Sequence, residues 1–195
     1  MLNAPVRLAP GGSGAAVAGG ARSTGTALLF DRGRRALVPS ALVTAGKPIW
    51  LRNGVGVTVS ARQERALPAL GLAVLKLGAA MPPPVALSVA PRDAFAGSQG
   101  SVVSYAPSAD AEPRWPLLMN GFVGSPIQDT SKTAIRSNQL GISSAAAVQG
   151  APVFDAAGRL IGIAVQRNST IQLIALSALR SAPSRSEERR VGKEC

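Results

Sequence analysis

The chain has 195 residues, of which 46% are apolar and 16% charged, and its 21 Lys and Arg outnumber 10 Asp and Glu for a net charge of +11. This is a globular composition, long enough for one sizeable core or two small ones packed together, and it excludes a disordered chain. No apolar run approaches the ~18 residues of a membrane span, and the absence of histidine excludes any mechanism that turns on an imidazole.

In chain order, residues 1–23 are rich in Gly and Ala without a period and predict a flexible lead-in. Met1 to Pro10 lack the basic start and following apolar stretch of a signal peptide. From Thr24 short β-type runs alternate with turn signals, the pattern of an all-β sandwich or barrel. Thr26–Asp31, the turn Arg32-Gly33-Arg34 and Arg35–Val38 predict a hairpin. The cluster Arg32, Arg34 and Arg35 falls in that turn, with no interleaved aromatic to stack a base. The basic residues are mostly Arg set among Ala, Gly and Pro, as a GC-rich genome produces, so nucleic acid is disfavoured as a partner despite the positive charge.

Pro48–Arg52 and Val55–Ala61 flank Asn53-Gly54, which predicts a tight hairpin with Val55, Val57 and Val59 on one face. Leu72–Leu77 is apolar on both faces except Lys76, which predicts a central strand. Gly78–Pro84 ends in three prolines and predicts a junction, with 24–78 as a first barrel, 79–84 as linker and 85–180 as a second barrel. Strands are expected at Val85–Val89, Ser101–Ala106, Pro116–Phe122, Gln139–Ile142, Pro152–Asp155, Leu160–Gln166 and Thr170–Leu176. Asp155-Ala156-Ala157-Gly158 predicts a turn between the runs PVF and LIGIAV. Ser177 is expected to cap a short helix, Ala178–Ser181.

The last eleven residues, Arg185–Cys195 (RSEERRVGKEC), read as the in-frame translation of a common sequencing adapter. They are expected to be foreign to the fold, with the gene running on past Ser184. Without them the net charge falls only from +11 to +10, since Arg185, Arg189, Arg190 and Lys193 leave together with Glu187, Glu188 and Glu194. Cys195 leaves too, so no disulfide, thiol nucleophile or thiolate metal site is expected.

Three segments resemble the triad segments of chymotrypsin-like serine proteases, the bacterial HtrA/Deg branch in particular. The family's T-N-A-H-V-V corresponds to Val38-Pro39-Ser40-Ala41-Leu42-Val43, with Leu42 in the place of His. Its D-L-A-V-L-K corresponds to Gly71-Leu72-Ala73-Val74-Leu75-Lys76, with Gly71 in the place of Asp. Its G-N-S-G-G-P corresponds to Ala147-Val148-Gln149-Gly150-Ala151-Pro152, with Gln149 in the place of Ser. Val153–Asp155, Gly158, Ile161-Gly162-Ile163 and Ile171–Arg180 follow as in the family. The resemblance spans residues 24–180. It implies two packed six-stranded β-barrels with a short C-terminal helix, and relatives that act in the bacterial envelope.

Acyl transfer on that frame needs an activated serine, a base near neutral pH and a carboxylate that holds the base. Leu42 accepts no proton, Gly71 has no side chain, and the Gln149 amide is a poor nucleophile. No catalytic residue is therefore assigned. The oxyanion positions Ala147, Val148 and Gln149 carry side chains where the family uses Gly, and β-branched Val148 predicts a collapsed or flipped turn. A Ser-Lys dyad of Lys76 or Lys132 with Ser143 or Ser144 has no sequence feature that joins its members. No metal or cofactor site is expected from the few scattered carboxylates. The expected function is a non-catalytic peptide- or protein-binding module using the groove between the barrels. The alternatives are an active serine endopeptidase with other residues and a structural scaffold within a longer chain.

Overall fold

A computed structural model of the chain describes residues 3–8, 22–44, 47–54, 56–81, 87–105, 116–127, 137–142, 148–167 and 169–181. Twelve strands and one short helix account for nearly all regular structure among them. The first group is β1 (Asn3–Leu8), β2 (Arg22–Phe30), β3 (Arg35–Pro39), β4 (Ile49–Arg52), β5 (Thr58–Leu67) and β6 (Leu72–Leu77). These pair in the order β1-β2-β3-β6-β5-β4, and β4 returns to β1 through Val6↔Leu51 to Leu8↔Ile49, which closes a barrel. The second group is β7 (Gln99–Ser104), β8 (Leu117–Pro126), β9 (Ser137–Gly141), β10 (Pro152–Phe154), β11 (Leu160–Arg167) and β12 (Thr170–Ala175). Its order is β10-β11-β12-β9-β8-β7, and β7 meets β10 only at Val153↔Val102 and Phe154↔Ser101. Helix α1 (Leu176–Ser181) follows β12 directly.

Strands β2, β3, β6, β11 and β12 are apolar on both faces because each face has its own core. In a strand successive side chains point to opposite sides. Ala27 and Leu29 of β2, Ala36 and Val38 of β3, and Ala73 and Leu75 of β6 point into the first barrel. Their neighbours Leu28, Leu37, Leu72 and Val74 point out of it. There they meet Leu160, Ile163 and Val165 of β11 and Ile174 of β12, which form one apolar layer between the barrels. Ile161 and Ala164 of β11 and Leu173 of β12 fill the second core. The period-2 pattern thus specifies three layers of packing, and the middle layer fixes how the two sheets face each other.

Several expectations are corrected. Within the expected lead-in, Asn3–Leu8 forms β1, and β2 begins at Arg22, so these residues belong to the first barrel. The Asn-Gly hairpin exists, but its loop is longer than two residues. Arg52 pairs with Thr58, Asn53 N–H donates to Val57 O at 3.0 Å, and Asn53 Oδ1 accepts Val57 N–H at 2.9 Å. The Asn53 side chain competes with the ladder and delays the strand. Val57 is therefore 49% exposed while Val59 is buried, and Val55 lies outside the described residues. Of the expected strand Val85–Val89, residues 85–86 lie outside the described residues and Val89 makes only an isolated bridge to Leu160. Ser177 is not a cap. It lies inside α1, and its hydroxyl and N–H bond Asp93.

Pro82, Pro83 and Pro84 of the expected linker, and the segment 185–195, lie outside the described residues. The turn at Asp155 forms as expected. Gly158 has φ +71 and donates N–H to Asp155 O at 3.0 Å, while Asp155 Oδ1 accepts from Ala157 N at 2.9 Å and Arg159 N at 2.8 Å.

Candidate functional site

Strand β3 ends at Pro39, whose missing N–H cannot extend the ladder. The chain then makes a single 3-10 turn, Ser40–Leu42, closed by Val43 N–H to Ser40 O at 3.0 Å. The turn carries Leu42 inward, where it is 8% exposed and belongs to the first core. Ser40 N–H donates to Gly71 O at 2.9 Å, which ties this turn to the next one. That turn, Pro68–Leu70, ends at Gly71 with φ 63 and ψ 29, a left-handed conformation that glycine adopts at little cost.

Gly71 has no side chain, yet the space beside it is taken. A Cβ there would lie 2.5 Å from Nη2, 3.0 Å from Nε and 3.2 Å from Cζ of Arg167. Arg167 ends β11 in the second sheet, and its Nη2 donates to Ala69 O at 3.2 Å. The guanidinium therefore crosses from the second sheet to the first.

The turn carrying Gln149 is stitched on both sides. Ala151 N–H bonds Val148 O at 3.0 Å, and Gly150 N–H bonds Ala164 O at 2.9 Å. On the other side Thr26 N–H of β2 donates to Gln149 O at 2.8 Å. Gly150 has φ +79, and a Cβ there would stand 2.0 Å from Thr26 O, so only glycine lets the turn approach the first barrel this closely. The Thr26 hydroxyl accepts Tyr105 N–H at 3.1 Å, and burial pushes the Tyr105 phenol above its ordinary pKa.

The Gln149 side chain faces the edge of β11. Ala164 N–H and C=O are bonded to Ala151 O and Gly150 N–H, so strand alternation puts Gln166 N–H on the same edge. Gln149 Oε1 accepts from Gln166 N at 3.5 Å, a long contact, and Gln149 Nε2 donates to Gln166 Oε1 at 3.4 Å. A carboxamide thus stands beside the strand edge where a peptide group would sit.

The fold brings Leu42 and Gln149 to one point, Gly25. A Cβ at Gly25 would lie 2.5 Å from Leu42 Cδ1, 3.0 Å from Gln149 O and 3.5 Å from Gln149 Cβ. Gly71 joins the same region through Ser40 and Arg167. Val148 is fully buried in the second core, and Ala147 lies outside the described residues. Lys76 is exposed on β6, in register with Arg35 and Arg62, while Lys132, Ser143 and Ser144 lie outside the described residues. Among the described residues no three of His, Cys, Asp and Glu gather at metal-binding distance, and no helix is long and apolar enough to cross a membrane.

Sequence reasoning missed Gly25, Gln166 and Arg167. Gly25, inside a strand, carried the one available signal, since a strand glycine marks a close approach of other atoms. Nothing local links Arg167 to Ala69, which is 98 residues away.

In three dimensions the chain is similar to the Rv3671c protease from M. tuberculosis in its active form, with a TM-score of 0.70 at 14% identity over 93% of this chain and 78% of that one. It is also similar to the HtrA-type protease AlgW with decapeptide, with a TM-score of 0.67 at 17% identity over 91% of this chain and 62% of that one. The MamO protease domain from Magnetospirillum magneticum in its apo form gives 0.65 at 17% identity over 94% of this chain and 96% of that one. No family model and no curated protein matches the sequence. These likenesses establish the fold, that of the HtrA/Deg-type trypsin-like proteases.

Proposed function

We propose that the chain is a trypsin-like peptidase-fold domain of two packed six-stranded barrels that has lost its Ser-His-Asp chemistry and binds an extended peptide or protein segment in the groove between them. The carrying observation is the placement of Gln149. Gln149, which the sequence resemblance sets in the place of the nucleophile, points its amide at Gln166 on the β11 edge, in a chain without a single histidine. An amide there can satisfy a strand edge, which is how extended peptides are bound, and it cannot attack a carbonyl. Ser40, whose N–H bonds Gly71 O, is no substitute nucleophile. Its hydroxyl is buried and has no hydrogen-bond partner among the described residues, so none of them serves it as a base. One structural neighbour is an HtrA-type protease with a decapeptide, which supports a peptide as the kind of ligand.

Two measurements on the purified chain test this. Fluorescence anisotropy against labelled extended peptides is expected to show saturable binding. A fluorophosphonate probe is expected to leave the protein unlabelled. Stoichiometric labelling that disappears on mutating one serine would instead establish an active hydrolase, and the absence of any peptide binding would remove the module reading.

A further inference from the structure

Arg167 reaches the Gly71 turn, and among the described residues no carboxylate pairs with its charge. Four carboxylates lie among the described residues, and each is engaged elsewhere. Asp31 and Glu64 face Arg35, Asp155 faces Arg159, and Asp93 bonds Ser177. Of the five guanidinium N–H donors, one on Nη2 is spent on Ala69 O, a neutral acceptor. Arg167 adjoins Gln166, whose N–H is on the edge that Gln149 touches. The guanidinium fills the space that a side chain at position 71 would take, and Gly71 supplies no group that would neutralise it.

We propose that Arg167 is a carboxylate-recognition point of this groove, so that the extended ligand is an acidic peptide. This rests on the peptide-binding reading above. A partly buried guanidinium whose other donors meet no partner among the described residues can pair with a carboxylate in bidentate geometry, and the two parallel bonds set orientation as well as affinity. The carboxylate comes either from an Asp or Glu side chain or from a chain end. The chain's net charge of +11 draws either form toward it.

The test is a set of four labelled decapeptides measured by anisotropy on the full chain. One carries Asp and Glu, one carries the isosteric Asn and Gln, and each is made with a free or an amidated C-terminus. The acidic peptide is expected to bind about tenfold tighter than its isostere, as charged hydrogen bonds do. Arg167→Gln is expected to erase that difference, so that the acidic and neutral peptides bind the variant equally. Arg167→Lys is expected to keep part of it, and a melting curve shows that both variants are folded. A preference that follows amidation assigns the carboxylate to the chain end, and one that follows Asn and Gln assigns it to side chains. Equal binding of acidic and neutral peptides, or a preference that survives Arg167→Gln, overturns the inference and leaves the peptide-binding reading standing. Binding of no peptide overturns both.

Discussion

Two corners of the candidate site are closed by opposite means. At Leu42, Gly25 and Gln149 the space is taken by an aliphatic side chain and a turn backbone, so tightly that a methyl group on Gly25 would collide with both. At Gly71 the space is taken by the tip of Arg167, reaching over from the other barrel. The first corner is part of a core and opens only by repacking. The second is held by a long side chain with one hydrogen bond to a carbonyl, and a ligand can move it. Binding is therefore expected to be adjustable at the second corner, while the first determines whether the barrel is intact.

The comparison breaks hardest at the first corner. Leu42→Ala is expected to cost about 2–5 kcal/mol, the lost transfer energy of the side chain plus the cavity, measured by urea unfolding. Gly25→Ala overpacks the same point and is expected to cost about 1–3 kcal/mol. In the Leu42→Ala background that cost should shrink, because the colliding Cδ1 is gone. Additive losses in the double-mutant cycle would show that the two residues do not share the space. At the second corner Gly71→Ala is expected to cost about 1 kcal/mol, because φ 63 disfavours any Cβ while the flexible Arg167 tip gives way. Gly71→Asp should cost less than Gly71→Ala, since its carboxylate meets the guanidinium, and the advantage should vanish with Arg167→Gln.

The smallest effect lies far from both corners, in the turn between β10 and β11. Desolvation pushes the Asp155 carboxyl up, but the Arg159 amide and guanidinium and the Ala157 amide together outweigh it and hold it below the ordinary carboxylate value. A depressed pKa in the folded state contributes stability above the unfolded pKa and loses it as pH falls through the folded one. Asp155→Asn is therefore expected to melt slightly below the parent at neutral pH and level with it in acid. A gap that persists at low pH would point to packing rather than charge.

Strand β6 was legible because Leu72–Leu77 is apolar on both faces, and the hairpin at Asp155 because its turn residues act locally. Strand β1 was not. Asn3–Leu8 contains a proline and precedes a Gly/Ala run, and only pairing with β2 and β4 holds it extended. The sequence resemblance singled out positions 42, 71 and 149, and the structure sets Leu42 and Gln149 beside Gly25 and ties Gly71 to Ser40. What packs beside Gly25 and Gly71 was not legible, because these contacts join residues far apart in the chain and leave no periodic trace in sequence.

Strand β1 has a consequence for handling the protein. It sits between β2 and β4 and is the piece that seals the first barrel. A chain trimmed to begin at Arg22 would expose the facing edges of β2 and β4, two rows of unsatisfied amides and carbonyls that invite another molecule to add a strand. Solubility during expression is thus tied to Asn3–Leu8.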